Sequence, residues 1–203
     1  MRIVVVGGTG TIGSAVASLL SVDHEVFRVG HRGGDYQVDI LSKPSIEALF
    51  KSLPPLDAVI ATTGSVIFGS LDSLTDEDFD VGLRSKLMGQ VNLVRPGRKY
   101  LNDKGSFTLT SGVLAREPMP GSVSVSLVNA ALEGFVLAAA LEMERGQRVN
   151  IVSPIFVKET MEALKMDSTK GLPAAEVALS YKASVEGSFN GRILDVRDFV
   201  RSF

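Results

Sequence analysis

The run "RIVVVGGTGTIG", residues 2 to 13, restricts this chain more than any other stretch. Ile3, Val4, Val5 and Val6 are apolar without alternation, the pattern of a strand buried on both faces of a parallel sheet. Directly after it, Gly8, Gly10 and Gly13 stand in G-x-G-x-x-G spacing, and Gly7, Gly10 and Gly13 in G-x-x-G-x-x-G. Glycine at such positions permits a tight turn, close backbone approach to a pyrophosphate and close helix–strand packing. The helix that follows offers unpaired amides and the positive end of its dipole to an anion. Strand, glycine turn and helix in that order predict a dinucleotide cradle built by Gly7, Thr9, Gly10, Thr11, Ile12 and Gly13.

The rest of the chain repeats the strand–helix alternation. Strand-like runs are "RIVVVG", "EVFRVG", "YQVDI", "LDAVIA", "GSFTLT", "RVNIVS" and "RILDV". Helix-like segments lie near 11–21, 43–52, 75–101 and 122–145, with shorter ones near 158–166 and 173–185. Right-handed crossovers between parallel strands give a doubly wound α/β fold, with about seven strands and helices on both faces. Thr75 with Asp78 forms a capping-box pattern, Pro44 suits a first helical turn, and Pro96 should kink or end the long fourth helix. No repeat or linker divides residues 1–203, so the reading is one domain.

The segment 122–145 is apolar almost all round, which requires cover on more than one side. A second subunit is the expected cover, making a dimer or tetramer through the helices near 75–101 and 122–145; a fully internal helix is the alternative. A formal charge of −2 gives no broad basic surface for nucleic acid or an anionic membrane. The absence of cysteine removes disulfides and thiolate chemistry, and two histidines far from any acidic cluster make a metal site unexpected. No apolar run is long enough to span a bilayer, so the expectation is a soluble cytoplasmic protein.

The second strand bears on the cofactor. Sites that prefer NAD usually carry an acid at its end, about 20 residues past the glycines, to hold the ribose 2′-hydroxyl. Here "VFRVGHRGGD" has no acid at the strand end, while His31 and Arg32 follow Gly30. A guanidinium there can bind a 2′-phosphate, so NADP is favoured over NAD, with Arg32 as its reader.

These features together resemble the short-chain dehydrogenase/reductase superfamily over nearly the whole chain. "VDI" looks like the segment in which Asp39, followed by Ile40, contacts adenine. "ATTG", Ala61, Thr62, Thr63 and Gly64, takes the place of the family's asparagine-rich turn. "TLTSG" resembles the strand that ends in the catalytic serine, here Ser111. "RVNIVSP" with "IFVKET" resembles the sixth strand and its turn, and contributes Pro154 and Val157 to the cofactor side. The resemblance implies hydride transfer between nicotinamide and an alcohol or carbonyl carbon, with a tyrosine moving the proton and a lysine lowering its pKa.

Three of the four catalytic positions depart from the family. Val125 occupies the tyrosine position, Asn129 the lysine position and Lys86 the asparagine position; Ser111 alone matches. Lys86 becomes the candidate proton donor, reaching toward Ser111 and Asn129, and Asn129 can still bond a ribose hydroxyl. Glu117 and Met119 are expected on the substrate side, Lys158 and Glu159 as lid or helix-end charges, and Tyr181 as packing. The expectation is an NADP(H)-dependent oxidoreductase with an altered catalytic set, acting on a small carbonyl or alcohol. The competing one is a non-catalytic NADP(H)-binding sensor or assembly protein. An epimerase-like relative is suggested only by the form of the glycine turn.

Overall fold

Ile3 and Val5 point to one side of the first strand, Val4 and Val6 to the other, and all four are buried. The entire fold follows from covering both sides. In this computed structural model, which describes residues 1–200, seven parallel strands form one sheet in the order β3-β2-β1-β4-β5-β6-β7. They are β1 (Arg2–Val6), β2 (Glu25–Gly30), β3 (Tyr36–Gln37), β4 (Leu56–Ala61), β5 (Leu101–Thr110), β6 (Arg148–Ser153) and β7 (Ile193–Asp195). All seven expected strands are present.

Val4, Val6, Val59, Phe107 and Leu109 pack beneath helices α2 (Lys43–Ser52), α4 (Met88–Gly97) and α5 (Val123–Ala139). Ile3, Val5, Ile60 and Val152 pack beneath α1 (Thr11–Leu20) and α7 (Ala174–Glu186). This is the doubly wound arrangement. Its strand order reverses between β1 and β4, which opens a crevice at the carboxyl ends of the strands, where such sheets bind ligands.

Three helices differ from the expected spans. The segment expected near 75–101 is helical without a gap from 76 to 97, but its middle is wound differently: α3 (Asp76–Val81) passes through a π-helical turn (Gly82–Leu87) into α4. Thr75 and Asp78 form the anticipated capping box, and α4 ends one residue beyond Pro96. Helix α5 stops at Ala139, short of 145, because the chain must turn into β6. Arg145, at φ 54°, closes that turn by donating to the carbonyls of Arg98 and Leu101. The last of the three is α6 (Lys158–Ala163), which ends before Lys165 at φ 57°.

Candidate active site

The turn after β1 is built by main chain. Gly7, at φ 89°, sends its amide to the Val29 carbonyl at 2.8 Å. A Cβ at Gly13 would run into the Gly7 carbonyl oxygen, so only glycine lets α1 start this close to the turn. Helix α1 has Gly10 at its cap, with no capping side chain and no acid in its first turn. Its leading amides therefore await an anion, as a pyrophosphate site requires.

Beside this turn lies a hollow of about 300 Å³, walled in part by Gly7, His31, Asp39, Ile40, Thr63 and Gly64. Val6, Gly30, Val38, Leu41, Ser65 and Ser85 complete the wall; sequence reasoning did not single them out because the first five lie within or beside recognised motifs and Ser85 is far away in the chain. Ser85 accepts the Ser65 amide at 2.9 Å, tying the π-helical turn to the end of β4. Thr9, Thr11 and Arg32 are exposed and stand outside this wall. Ala61 and Thr62 fasten the end of β4: the Ala61 carbonyl accepts from the Thr110 hydroxyl, and both the amide and the hydroxyl of Thr62 donate to the Val6 carbonyl. The Asp39 carboxylate accepts the Leu41 amide at 2.9 Å, which turns the chain toward α2.

A second, larger cavity of about 620 Å³ opens at the ends of β4, β5 and β6. It brings together Lys86, Ser111 and Asn129 with Ile12, Pro154 and Val157, residues scattered across the sequence. Val125 is also on its wall.

Lys86 comes from the π-helical turn, in which the Met88 amide donates to the Leu83 carbonyl five residues back. Extra residues of this kind recur at functional positions because they re-aim a side chain. Gly64, at φ 121°, lets the β4 turn approach: a Cβ there would lie 2.5 Å from the Lys86 Cα. The Lys86 ammonium donates to the Ser111 carbonyl at 3.1 Å. Although the residue opens partly onto the cavity, burial of its charged end pushes its pKa down to about 8.

The structure departs from expectation at Ser111. Its hydroxyl donates to Oε1 of Glu133 at 3.0 Å instead of meeting Lys86. Glu133 lies one helical turn beyond Asn129 and is 6% exposed. Nothing in the sequence marked it, since one glutamate on an apolar helix gives no sign of which way it points. Lys86 also makes no bond to Asn129, whose Oδ1 is buried without a partner. Asn129 lines the cavity beside the glycine turn, and a ribose hydroxyl would satisfy that orphaned acceptor. With the uncapped α1 amides, it makes the residues present fit a dinucleotide.

Of the neighbouring candidates, Met119 lines the cavity as expected, but Glu117 does not. Its carboxylate is held by Arg197 at 2.6 Å, in an ionic group with Asp195 and Arg116. Glu159 caps α7 by accepting the Ala174 amide, in keeping with a helix-end charge. Tyr181 is fully buried, bonded to the Thr110 hydroxyl at 2.7 Å, with its phenol pKa pushed up by burial. It is a packing residue.

A family model described as enoyl-(acyl carrier protein) reductase matches residues 13–188. The chain belongs to the short-chain dehydrogenase/reductase superfamily. Among solved structures, the protein lin1944 from Listeria innocua is 40% identical with a TM-score of 0.92, covering 97% of this chain and 99% of that one. A small-chain dehydrogenase in complex with NADPH is 25% identical with a TM-score of 0.87, covering 96% of this chain and 95% of that one. A hydroxynaphthalene reductase of Aspergillus fumigatus is 27% identical over 154 residues, 73% of this chain and 56% of the relative. The chain thus spans little more than half the length of that curated relative.

Proposed function

We propose that this chain is an NADP(H)-dependent oxidoreductase of the short-chain type, acting on a small carbonyl or alcohol without the usual tyrosine and lysine. The observation that carries the reading is Lys86, which lines the cavity with its ammonium anchored to the Ser111 carbonyl and held near pKa 8. A bound nicotinamide would supply or accept the hydride. Lys86 then holds the proton that the substrate oxygen needs, at a pKa suited to exchange near neutral pH. Asn129 orients the ribose through its free Oδ1, and Ser111 fixes Lys86 through its main-chain oxygen. Val125 cannot move a proton and contributes apolar wall.

NADP is favoured over NAD by the end of β2. β2 ends at Gly30 without an acid, His31 is on the wall, and the Asp35 carboxylate is turned back onto the Arg28 amide at 2.8 Å. Arg32, exposed next to His31, remains the proposed partner of a 2′-phosphate. The NADPH in a solved relative supports the same choice.

Assembly is proposed through α5. Val123, Leu127, Leu137 and the following Leu141 are exposed on one stripe, apolar surface that a second copy of the chain would cover.

The test is purified protein with NADPH and a broad carbonyl panel. Turnover is expected, falling at least tenfold in Lys86→Ala, and unchanged turnover in that variant would refute the proton role. A second reading, a dinucleotide-binding protein without catalysis, is favoured by the Ser111 hydroxyl being donated to Glu133. It requires tight NADPH binding with no turnover on any carbonyl.

A further inference from the structure

We infer that the substrate is a free, uncharged, predominantly apolar carbonyl compound, an aliphatic or aromatic ketone or aldehyde. A sugar, an organic acid or a carrier-bound acyl group does not suit the site. The inference rests on the oxidoreductase reading above and adds what the site selects.

Among the described residues that line the 620 Å³ cavity, Lys86 is the sole ionisable one. Its other polar groups, Thr110, Ser111, Asn129 and Thr160, are uncharged. The Thr110 hydroxyl is already engaged with Ala61 and Tyr181, and that of Ser111 with Glu133. A ligand that carries several hydroxyls or a carboxylate would give up water there for few partners, which is unfavourable for every group left unpaired. One polar function meets Lys86, and the rest of the ligand meets Val66, Val113, Leu114, Val125, Ile155 and Phe156.

The mouth has the same character. Phe68 follows β4, Met119 follows β5, and Leu164 and Met166 follow α6; all four line the cavity and all four are exposed. Three separate segments converge there with large apolar side chains uncovered. Two of the four are methionines, whose flexible thioethers adapt to varied shapes.

Charge in and after α6 is balanced. Between 158 and 170, Lys158, Lys165 and Lys170 are offset by Glu159, Glu162 and Asp167. These residues therefore add no positive field at the mouth to the single charge of Lys86, which the carbonyl oxygen of the substrate occupies. In the reaction, the carbonyl carbon gains a hydride from NADPH and the carbonyl oxygen gains a proton, leaving an alcohol and NADP⁺.

The experiment uses the full chain loaded with NADPH, a series of methyl ketones of increasing length, and the same ketones bearing a terminal carboxylate. The expected kcat/KM rises about fourfold per methylene, which corresponds to about 0.8 kcal/mol of burial. The terminal carboxylate should lower it more than tenfold, and Leu164→Glu or Met166→Glu, at exposed positions, should flatten the chain-length dependence. Turnover that is independent of chain length, or better with the carboxylate or with an acyl carrier thioester, overturns the inference while leaving the oxidoreductase reading intact. If no ketone turns over, the thermal midpoint of the NADPH-loaded protein is measured with the corresponding alcohols. A midpoint that climbs with chain length upholds the apolar site and rejects the redox reading; one that does not move rejects the apolar site.

Discussion

Replacing Lys86 with methionine separates the energetic cost of the site from its chemistry. Methionine keeps much of the stem and removes the charge. In the folded chain the ammonium titrates near 8, against 10.5 for an unperturbed lysine. A difference of about 2.5 units, at 1.36 kcal/mol each, means that carrying the proton costs the fold about 3 kcal/mol. The sign follows from the folded pKa lying below the unfolded one. Below pH 8 both states are protonated and the whole penalty is present; between 8 and 10.5 the unfolded chain holds the proton more tightly, so stability rises with pH. Loss of the bond to the Ser111 carbonyl offsets about 1 kcal/mol of the gain. Lys86→Met should therefore be about 2 kcal/mol more stable than the parent at pH 7 in urea unfolding. That advantage should shrink by roughly 2 kcal/mol by pH 9.5. The same variant should lose turnover, the pattern of a site that gives up stability for function. A stability difference that stays constant from pH 7 to 9.5 would refute the buried-charge argument.

Gly13→Ala drives a methyl group into the Gly7 carbonyl and should weaken NADPH binding by at least about tenfold in calorimetry, a loss of about 1.4 kcal/mol. Glu133→Ala leaves the buried Ser111 hydroxyl with only the Val152 carbonyl at 3.4 Å, and should cost about 1–3 kcal/mol in chemical denaturation. Arg197→Ala should change global stability by only about 1 kcal/mol, since Glu117 is largely exposed and the more buried Asp195 keeps Arg116 as a partner, yet speed proteolysis of the loop around Glu117. Leu137→Asp, on the exposed stripe of α5, should convert an oligomer to monomer in light scattering without lowering NADPH affinity.

Much of the fold was legible because its signals are local. Unalternated runs such as Ile3–Val6 admit burial on both faces, and the glycine turn admits little besides a helix start at an anion. Helix ends were less legible. The change of winding in the long fourth segment, from α3 through a π-helical turn into α4, depends on how the β4 turn presses against Lys86, which no propensity encodes. Helix α5 ends early because Arg145 satisfies carbonyls more than forty residues away in sequence.

The same division runs through the site. Sequence alone determined the apolar runs that become strands, the glycine turn after the first of them and the residue types at Val125, Asn129 and Lys86, because these are facts of residue type at fixed spacing. Tertiary structure decided which groups meet: that Lys86 bonds to the carbonyl of Ser111 and not its hydroxyl, that Glu133 takes the hydroxyl, and that apolar side chains from three segments ring one mouth. Partners distant in the chain are chosen by which faces the packed sheet and helices turn toward one another, and a side chain's direction exists only once that packing is complete.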